Sequence, residues 1–173
     1  MMPVRVFIAL AIAASAAAAG AEPMGACSLL APDDLAELGV PADAVPTLET
    51  QQGGVQYCKY HAPGASAGEA VATVILSTWV PDRVLQVRAM LSHSRNESTP
   101  AQREARGEFL ADGATCKVVT VSQVETSQCL GTTEQSVVGL SLTRRNVDNK
   151  VAPPALQLRV ISRLLSRVGE RGG

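Results

Sequence analysis

A serine and two histidines are the residues that could support covalent catalysis in this chain of 173 residues. Residues 64–68 read Gly-Ala-Ser-Ala-Gly, which matches the Gly-x-Ser-x-Gly pattern of a serine hydrolase elbow with Ser66 as nucleophile. The elbow needs a strand before the motif and a helix after it. Here strand-forming residues follow, which favours a small-residue loop between two strands.

A hydrolase would also need a base, and the chain offers His61 and His93. His61 is too near Ser66 for the usual chain order of serine, acid and histidine. His93 falls near the end of a predicted helix, where a histidine interacts with the terminal carbonyl groups. A small serine hydrolase using Ser66 is therefore the alternative function and not the preferred one.

Three carboxylates near the start of the chain, Asp33, Asp34 and Glu37, could do acid–base work. They fall in the first turns of a short predicted helix, where the helix dipole stabilises negative charge. We therefore expect a structural role for them.

Basic residues are concentrated at the other end of the chain. Residues 22–57 hold six acidic residues and no Lys or Arg, whereas residues 144–171 hold seven basic residues and two acidic ones. Three of the arginines recur every four residues and therefore share one face of a predicted helix. The candidate binding residues are Arg159, Arg163 and Arg167 on that helix and Arg144 and Arg145 before it, with Lys150 beside them.

This basic stripe could hold an acidic protein, anionic lipid headgroups or a polyanionic polymer. Two structural alternatives stay open: a solvated face, or arginines that meet the acidic N-terminal segment within the domain. Nucleic acid is disfavoured as a partner because only 3% of the residues are aromatic and could stack on bases.

Four cysteines, at positions 27, 58, 116 and 129, predict two disulfides in an exported protein. Their spacing excludes a zinc knuckle, and no metal or cofactor is expected. If residues 115–121 and 124–131 form a hairpin centred between Ser122 and Gln123, opposed residue numbers add up to 245. Cys116 then lies opposite Cys129, close enough for a disulfide. Cys27 and Cys58 pair by elimination.

The first residues resemble a cleavable signal peptide. An apolar run from Val6 to Ala19 follows the charge of Arg5, and small residues end at Ala21. We expect a signal peptide over residues 1–21, one domain over residues 22–173, and a periplasmic or secreted protein without a membrane span after cleavage. The alternative is a lipid anchor on Cys27, because Met-Gly-Ala-Cys loosely resembles a lipidation site.

Hydrophobic periodicity and turn residues predict three longer elements: a central strand over residues 70–80, a helix over 82–93, and a closing helix over 153–168. The core stripe of the closing helix would be Leu158, Ile161, Leu165 and Val168. Residues 40–54, rich in Pro and Gly, are predicted as loop. Shorter helices are expected near residues 32–38 and 99–102, and further strands at 55–61, 107–110, 115–121, 126–132 and 137–143. This order is typical of an α+β fold, in which helices pack on a mainly antiparallel sheet.

Residues 27–39 read Cys-Ser-Leu-Leu-Ala-Pro-Asp-Asp-Leu-Ala-Glu-Leu-Gly. This resembles the opening of a group of small secreted bacterial proteins of unknown function, often described as lipoproteins, which begin Cys-Ser-Leu-Leu-Thr and carry a second cysteine in the first strand. The chain departs from that pattern at Ala31, where threonine is usual, and lacks a good lipidation site. The resemblance implies an α+β fold, a disulfide between Cys27 and Cys58 and a location outside the cytoplasm, with no catalytic residues to transfer.

From these observations we expect a non-catalytic binding protein whose partner is another envelope or secreted protein. An inhibitor or immunity protein that blocks an envelope-targeting enzyme is one specific form of this hypothesis.

Overall fold

The computed structural model describes residues 25–64, 70–78, 80–145 and 151–171. The predicted signal peptide, residues 1–21, lies outside the described residues. After a single 3-10 turn at Ala26–Ser28, the described helices are α1 (Pro32–Glu37), α2 (Pro81–Glu97), α3 (Pro100–Ala105) and α4 (Pro154–Arg171). The strands are β1 (Val45–Thr50), β2 (Gln56–His61), β3 (Ala70–Thr78), β4 (Glu108–Ala111), β5 (Ala114–Val121), β6 (Val124–Thr132) and β7 (Ser136–Arg145).

The seven strands form one antiparallel sheet in the order β1-β2-β3-β7-β6-β5-β4. The first three strands run from one edge to the centre. Helices α2 and α3 then carry the chain to the opposite edge, and β4 to β7 return to the centre, where β7 pairs with β3. The predicted antiparallel sheet is confirmed, and the sheet makes up most of the fold.

Both predicted disulfides are present. Cys116 lies opposite Cys129 in the β5–β6 hairpin, in the predicted register, and their Cα atoms are 4.0 Å apart. Cys27 is bonded to Cys58 of β2, with Cα atoms 4.9 Å apart. The first bridge braces one hairpin, and the second ties the 3-10 turn to the sheet.

One face of the sheet, the inner face, carries the core. Along one register row, Val74, Leu140 and Cys129 lie side by side and are at most 3% exposed. The end of this face formed by β4 to β7 is covered by α4, and the end formed by β1 to β3 by the segment around the 3-10 turn. Leu29 and Leu38 of the N-terminal segment are buried in the same core.

The buried stripe of α4 differs from the predicted one. Ile161 and Val168 are buried as expected, but Leu158 and Leu165 are only half-buried. The helix is rotated so that Gln157 faces the sheet, where its side-chain oxygen accepts a hydrogen bond from Ser127 Oγ at 2.5 Å and lies 3.2 Å from Cys129 Sγ. A pattern that counts apolar residues does not predict a buried amide side chain whose polar atoms are hydrogen-bonded. The predicted end of the helix at residue 168 is also wrong, since α4 continues to Arg171.

The prediction of loop over residues 40–54 is wrong for Val45–Thr50, which form β1. Every residue of β1 is exposed, so this edge strand has no buried alternation for a sequence pattern to detect. Pro46 suits an edge strand because it has no backbone N–H to donate to a further neighbour. None of the described helices has the length and apolar content that crossing a membrane requires.

Candidate functional site

Two of the predicted binding arginines contact the acidic N-terminal segment. Arg163 Nε donates to Asp34 Oδ1 at 2.8 Å, and its Nη2 lies 2.7 Å from Glu37 Oε2. Arg167 bonds Asp34 Oδ2 and the carbonyl of Leu29. Both guanidinium groups keep about a third of their side-chain surface exposed, at 38% and 31%. Much of the positive charge of the predicted stripe is therefore balanced within the domain.

Asp34 is the centre of this cluster and is 1% exposed. Burial by itself would raise the pKa of the Asp34 carboxyl. Hydrogen bonds from Arg167, the Ala31 amide and Arg163 outweigh that effect and hold the pKa below its ordinary value of 3.8. The bonds to Glu37 and Asp34 also raise the pKa of Arg163. The cluster is thus a charged clasp between α1 and α4.

Arg144 lies on the inner face of β7 and caps the C-terminal end of α1. Its Nη2 donates to the carbonyls of Leu38 at 2.9 Å and Gly39 at 3.1 Å, and its Nη1 to that of Val71 at 2.7 Å. Burial lowers the pKa of the guanidinium, and these three carbonyl oxygens, with that of Thr143 at 3.0 Å from Nη1, compensate for the lost hydration.

The other members of the predicted stripe are placed differently. Arg159 is exposed on α4. Arg145 is the last residue of β7, and its side chain and the whole of Lys150 lie outside the described residues. That these arginines bind a partner stays a prediction, in which Arg159 is the most accessible of the described members.

The serine motif joins two strands. Ser66 lies outside the described residues, but β2 ends at His61 and β3 begins at Ala70, so a strand follows the motif, as expected. His61 has a buried Nδ1 without a hydrogen-bond partner among the described residues. His93 is a surface residue of α2, with Nδ1 2.9 Å from Glu97 Oε1. The described residues contain no cluster of three or more His, Cys, Asp or Glu side chains that could hold a metal ion.

Among the described residues, the second face of the sheet, the outer face, is covered by α2 along one edge only. Three successive arginines of α2 contact different parts of the sheet: Arg83 lies 3.4 Å from Ser77 Oγ on β3, Arg88 3.1 Å from the Thr133 carbonyl after β6, and Arg95 3.4 Å from the Ala111 carbonyl on β4. The helix therefore crosses the strands near the ends where β3 and β6 finish. Only Val84 of α2 is buried.

Beyond α2 a continuous row of seven side chains crosses the whole outer face, with one residue from each strand. Successive members are directly paired in the sheet register, so their side chains point to the same face. None of the seven is buried. This cross-strand row consists of Thr47, Lys59, Thr73, Ser141, Gln128, Lys117 and Glu108.

The cross-strand row has a neutral centre between two ion pairs. Thr73, Ser141 and Gln128 occupy the middle. At the β1 end, Lys59 Nζ lies 2.7 Å from Glu49. At the β4 end, Lys117 Nζ lies 3.9 Å from Glu108 Oε1. Protein interfaces share this distribution, since charged residues are depleted at the centre and retained at the rim.

The outer face continues toward the tip of the β5–β6 hairpin. The next register row holds Val119, Thr126 and Thr143, and in the row beyond it Val124 pairs with both Val121 and Arg145. Val119 is 44% exposed and Val121 65%, so two apolar side chains stand in solvent beside the row. Together with the cross-strand row they make the surface that is here called the open face.

Sequence patterns did not reveal the open face. Its polar residues alternate with buried ones and read as ordinary solvent-facing positions. Assembling the row needs the register of all seven strands, including the unrecognised β1. One pair of the row could be predicted from the sequence, because the register that pairs Cys116 with Cys129 also pairs Lys117 with Gln128.

Comparisons with known proteins add no relative. No family model, no curated protein and no solved structure matches the chain. The site therefore has to be interpreted from its own geometry.

Proposed function

We propose that this protein is a non-catalytic binding protein of the periplasm or the extracellular medium, and that its ligand is another envelope or secreted protein. An inhibitor or immunity protein that blocks an enzyme acting on the cell envelope is the specific form we favour. The observation that carries the proposal is the open face, an accessible surface with a neutral centre and a charged rim.

The dimensions of the open face favour a macromolecular ligand. Neighbouring strands lie about 4.8 Å apart, so a row across seven strands is about 29 Å long. The row of seven residues, the row of three and the valine pair hold twelve residues at about 34 Å² each, which gives a surface of roughly 400 Å². A standard protein interface buries about 800 Å² on each partner, so the open face would supply about half of one and neighbouring residues of α2 part of the rest.

Rigidity also supports a binding role. The hairpin that carries Val119 and Val121 is bridged by Cys116–Cys129 and is paired with β7 along its length. A surface fixed before association loses little conformational freedom when it binds, which improves affinity. The two disulfides agree with a location in an oxidising compartment, and export by a signal peptide over residues 1–21 is part of the proposal.

The test is affinity capture from an envelope extract of the source organism, with the protein as bait and two lysines introduced into the neutral centre. Thr73 and Ser141 are directly paired and half-buried. We expect Thr73→Lys with Ser141→Lys to weaken capture of a stoichiometric partner at least about tenfold, because the partner would have to bury unpaired charge.

The matched control is Ser162→Lys with Ser166→Lys, which adds the same charge at two exposed positions of α4 on the opposite side of the sheet. Capture should be unchanged by that variant. Arg159→Glu tests the arginine stripe separately, because Arg159 is exposed on the same helix. Equal capture by the Thr73→Lys, Ser141→Lys protein and the parent would contradict binding through the open face.

A further inference from the structure

A groove lies where α2 meets the open face. It has a volume of about 320 Å³ and is bounded by Met90 and Leu91 of α2 and by Leu130 of β6. Glu108, Lys117 and Gln128, three members of the cross-strand row, form its polar side. This volume is at the lower end of those of known ligand pockets.

The apolar part of the groove is accessible from solvent. Met90 is 46% exposed although it lines the groove, and Leu91 and Leu130 are half-buried. The methionine side chain adapts to a guest of irregular shape, because an unbranched thioether chain has several accessible rotamers. The floor of the groove therefore suits an aliphatic or aromatic side chain.

The polar part of the groove is complementary to a peptide group. Lys117 Nζ and Glu108 Oε1 are 3.9 Å apart, which is beyond hydrogen-bond distance. Glu108 Oε2 is already in contact with Arg106 Nη2 at 3.2 Å. A ligand carbonyl could accept from the Lys117 ammonium while a ligand N–H donates to Glu108 Oε1, and Gln128 can do either.

We propose that this groove receives one aliphatic or aromatic side chain of the protein partner, with the adjoining backbone amide held by Lys117 and Glu108. The inference rests on the proposed function and names the anchor through which the open face would be recognised. Side chains that fill pockets at an interface contribute a large share of the binding energy.

The probe for this proposal is N-acetyl-leucinamide, which carries one apolar side chain between two amide groups. Titration into the ¹⁵N-labelled protein should shift the backbone amide signals of Leu91, Gln128 and Leu130 in a saturable manner at millimolar concentration. N-acetyl-glycinamide, which lacks the side chain, should produce no saturable shifts at these positions. Shifts that are scattered over the surface, or equal for the two compounds, would overturn the proposal.

Two variants of the same helix make the matched pair. Met90→Glu places a charge in the groove, whereas Leu85→Glu makes a similar change at a residue that is 63% exposed and does not line it. We expect Met90→Glu to abolish the saturable shifts and to weaken partner capture about tenfold, an effect worth about 1.4 kcal/mol. Leu85→Glu should leave both unchanged.

The two proposals fail in different ways. If the lysines at positions 73 and 141 leave capture intact, binding through the open face is wrong, regardless of whether the groove binds the leucinamide. If those lysines abolish capture but Met90→Glu leaves capture and the leucinamide shifts unaltered, the open face stands and the anchor groove is wrong.

Discussion

Asp34 keeps its charge inside the domain because its two oxygens are shared among three donors. Arg163 and Arg167 supply opposite charge, and the Ala31 amide occupies a further acceptor site at 3.0 Å. A buried carboxylate with this set of partners is costly to disturb, since removing its charge leaves two guanidinium groups facing an uncharged amide. Asp34 lies in the first turn of a helix, as the sequence predicted, and a structural role was expected for it. The ion pairs of Asp34 with arginines more than a hundred residues away were one of two structural alternatives that the sequence left open.

Replacing Asp34 by asparagine tests the clasp. We expect Asp34→Asn to lower the free energy of unfolding by on the order of 3 kcal/mol at pH 7, measured by urea denaturation. Asp33→Asn is the control, because Asp33 is the neighbouring carboxylate and is exposed. Equal stability of the Asp34→Asn protein and the parent would mean that the clasp contributes nothing.

The same clasp predicts that the free energy of unfolding decreases at acidic pH. The pKa of Asp34 is lower in the folded protein than its ordinary value of 3.8. The stabilisation by its charge is therefore complete above about pH 4 and is lost as the pH falls through the folded-state pKa. The stability difference between the parent and the Asp34→Asn protein should stay constant from pH 7 to about pH 5 and shrink below about pH 4. A difference that grows on acidification would contradict the assignment.

Elements were recognised wherever burial left a periodic signal. The β5–β6 hairpin and β3 fall where the sequence placed them. Elements with little burial were misjudged. The edge strand β1 was missed, and α2 runs four residues beyond the predicted end at His93 because its exposed last turn has no hydrophobic stripe.

Gly107, which links α3 to β4, approaches the backbone of β5 closely, and the energetic importance of this approach can be tested. Its φ is +67°, and a Cβ there would lie 2.4 Å from the carbonyl oxygen of Val118 on β5. We expect Gly107→Ala to lower the free energy of unfolding by roughly 3 kcal/mol, because backbone strain and overlap with a strand add together. Thermal and urea denaturation measure the effect.

Gly54 provides the control for backbone strain alone. Its φ is +74°, but an added Cβ would have no heavy atom of another residue, apart from its two chain neighbours, within 4 Å. Gly54→Ala should therefore cost only about 1 kcal/mol. Equal losses of unfolding free energy in the two variants would show that the close approach of Gly107 to β5 has no effect on stability.

At the scale of the whole molecule, the described residues cover most of one face of the sheet, apart from the edge strand β1, and only part of the other. The sequence predicted the helices, the antiparallel pairing and the two disulfides, but it could not predict which sheet face α2 would leave accessible. That outcome depends on where Arg83, Arg88 and Arg95 meet the sheet, and the contacts of Arg88 and Arg95 join residues 45 and 16 positions apart. The open face is consequently a property of topology and not of any motif.

The two disulfides should contribute unequally to global stability. Cys27–Cys58 spans 31 residues and Cys116–Cys129 spans 13. In the chain-entropy model the longer loop gives the larger stabilisation, about 3.7 against about 2.9 kcal/mol. Replacing Cys27 and Cys58 by serine should therefore lower the free energy of unfolding by more than replacing Cys116 and Cys129. The reverse order in urea denaturation would contradict this account.

The clasp between α1 and α4 also imposes an order on the maturation of a nascent chain. Asp34 precedes Arg163 by 129 residues and Arg167 by 133, so α1 is synthesised long before the residues that neutralise it. Until α4 emerges, Asp34 has no cationic partner from that helix, and the inner face of β4 to β7 lacks its cover. A chain that stops before α4 would lack the clasp and would leave the inner face of β4 to β7 uncovered, while Cys27–Cys58 and Arg144 would still tie the N-terminal segment to the sheet. The clasp can therefore form only after α4 has been synthesised.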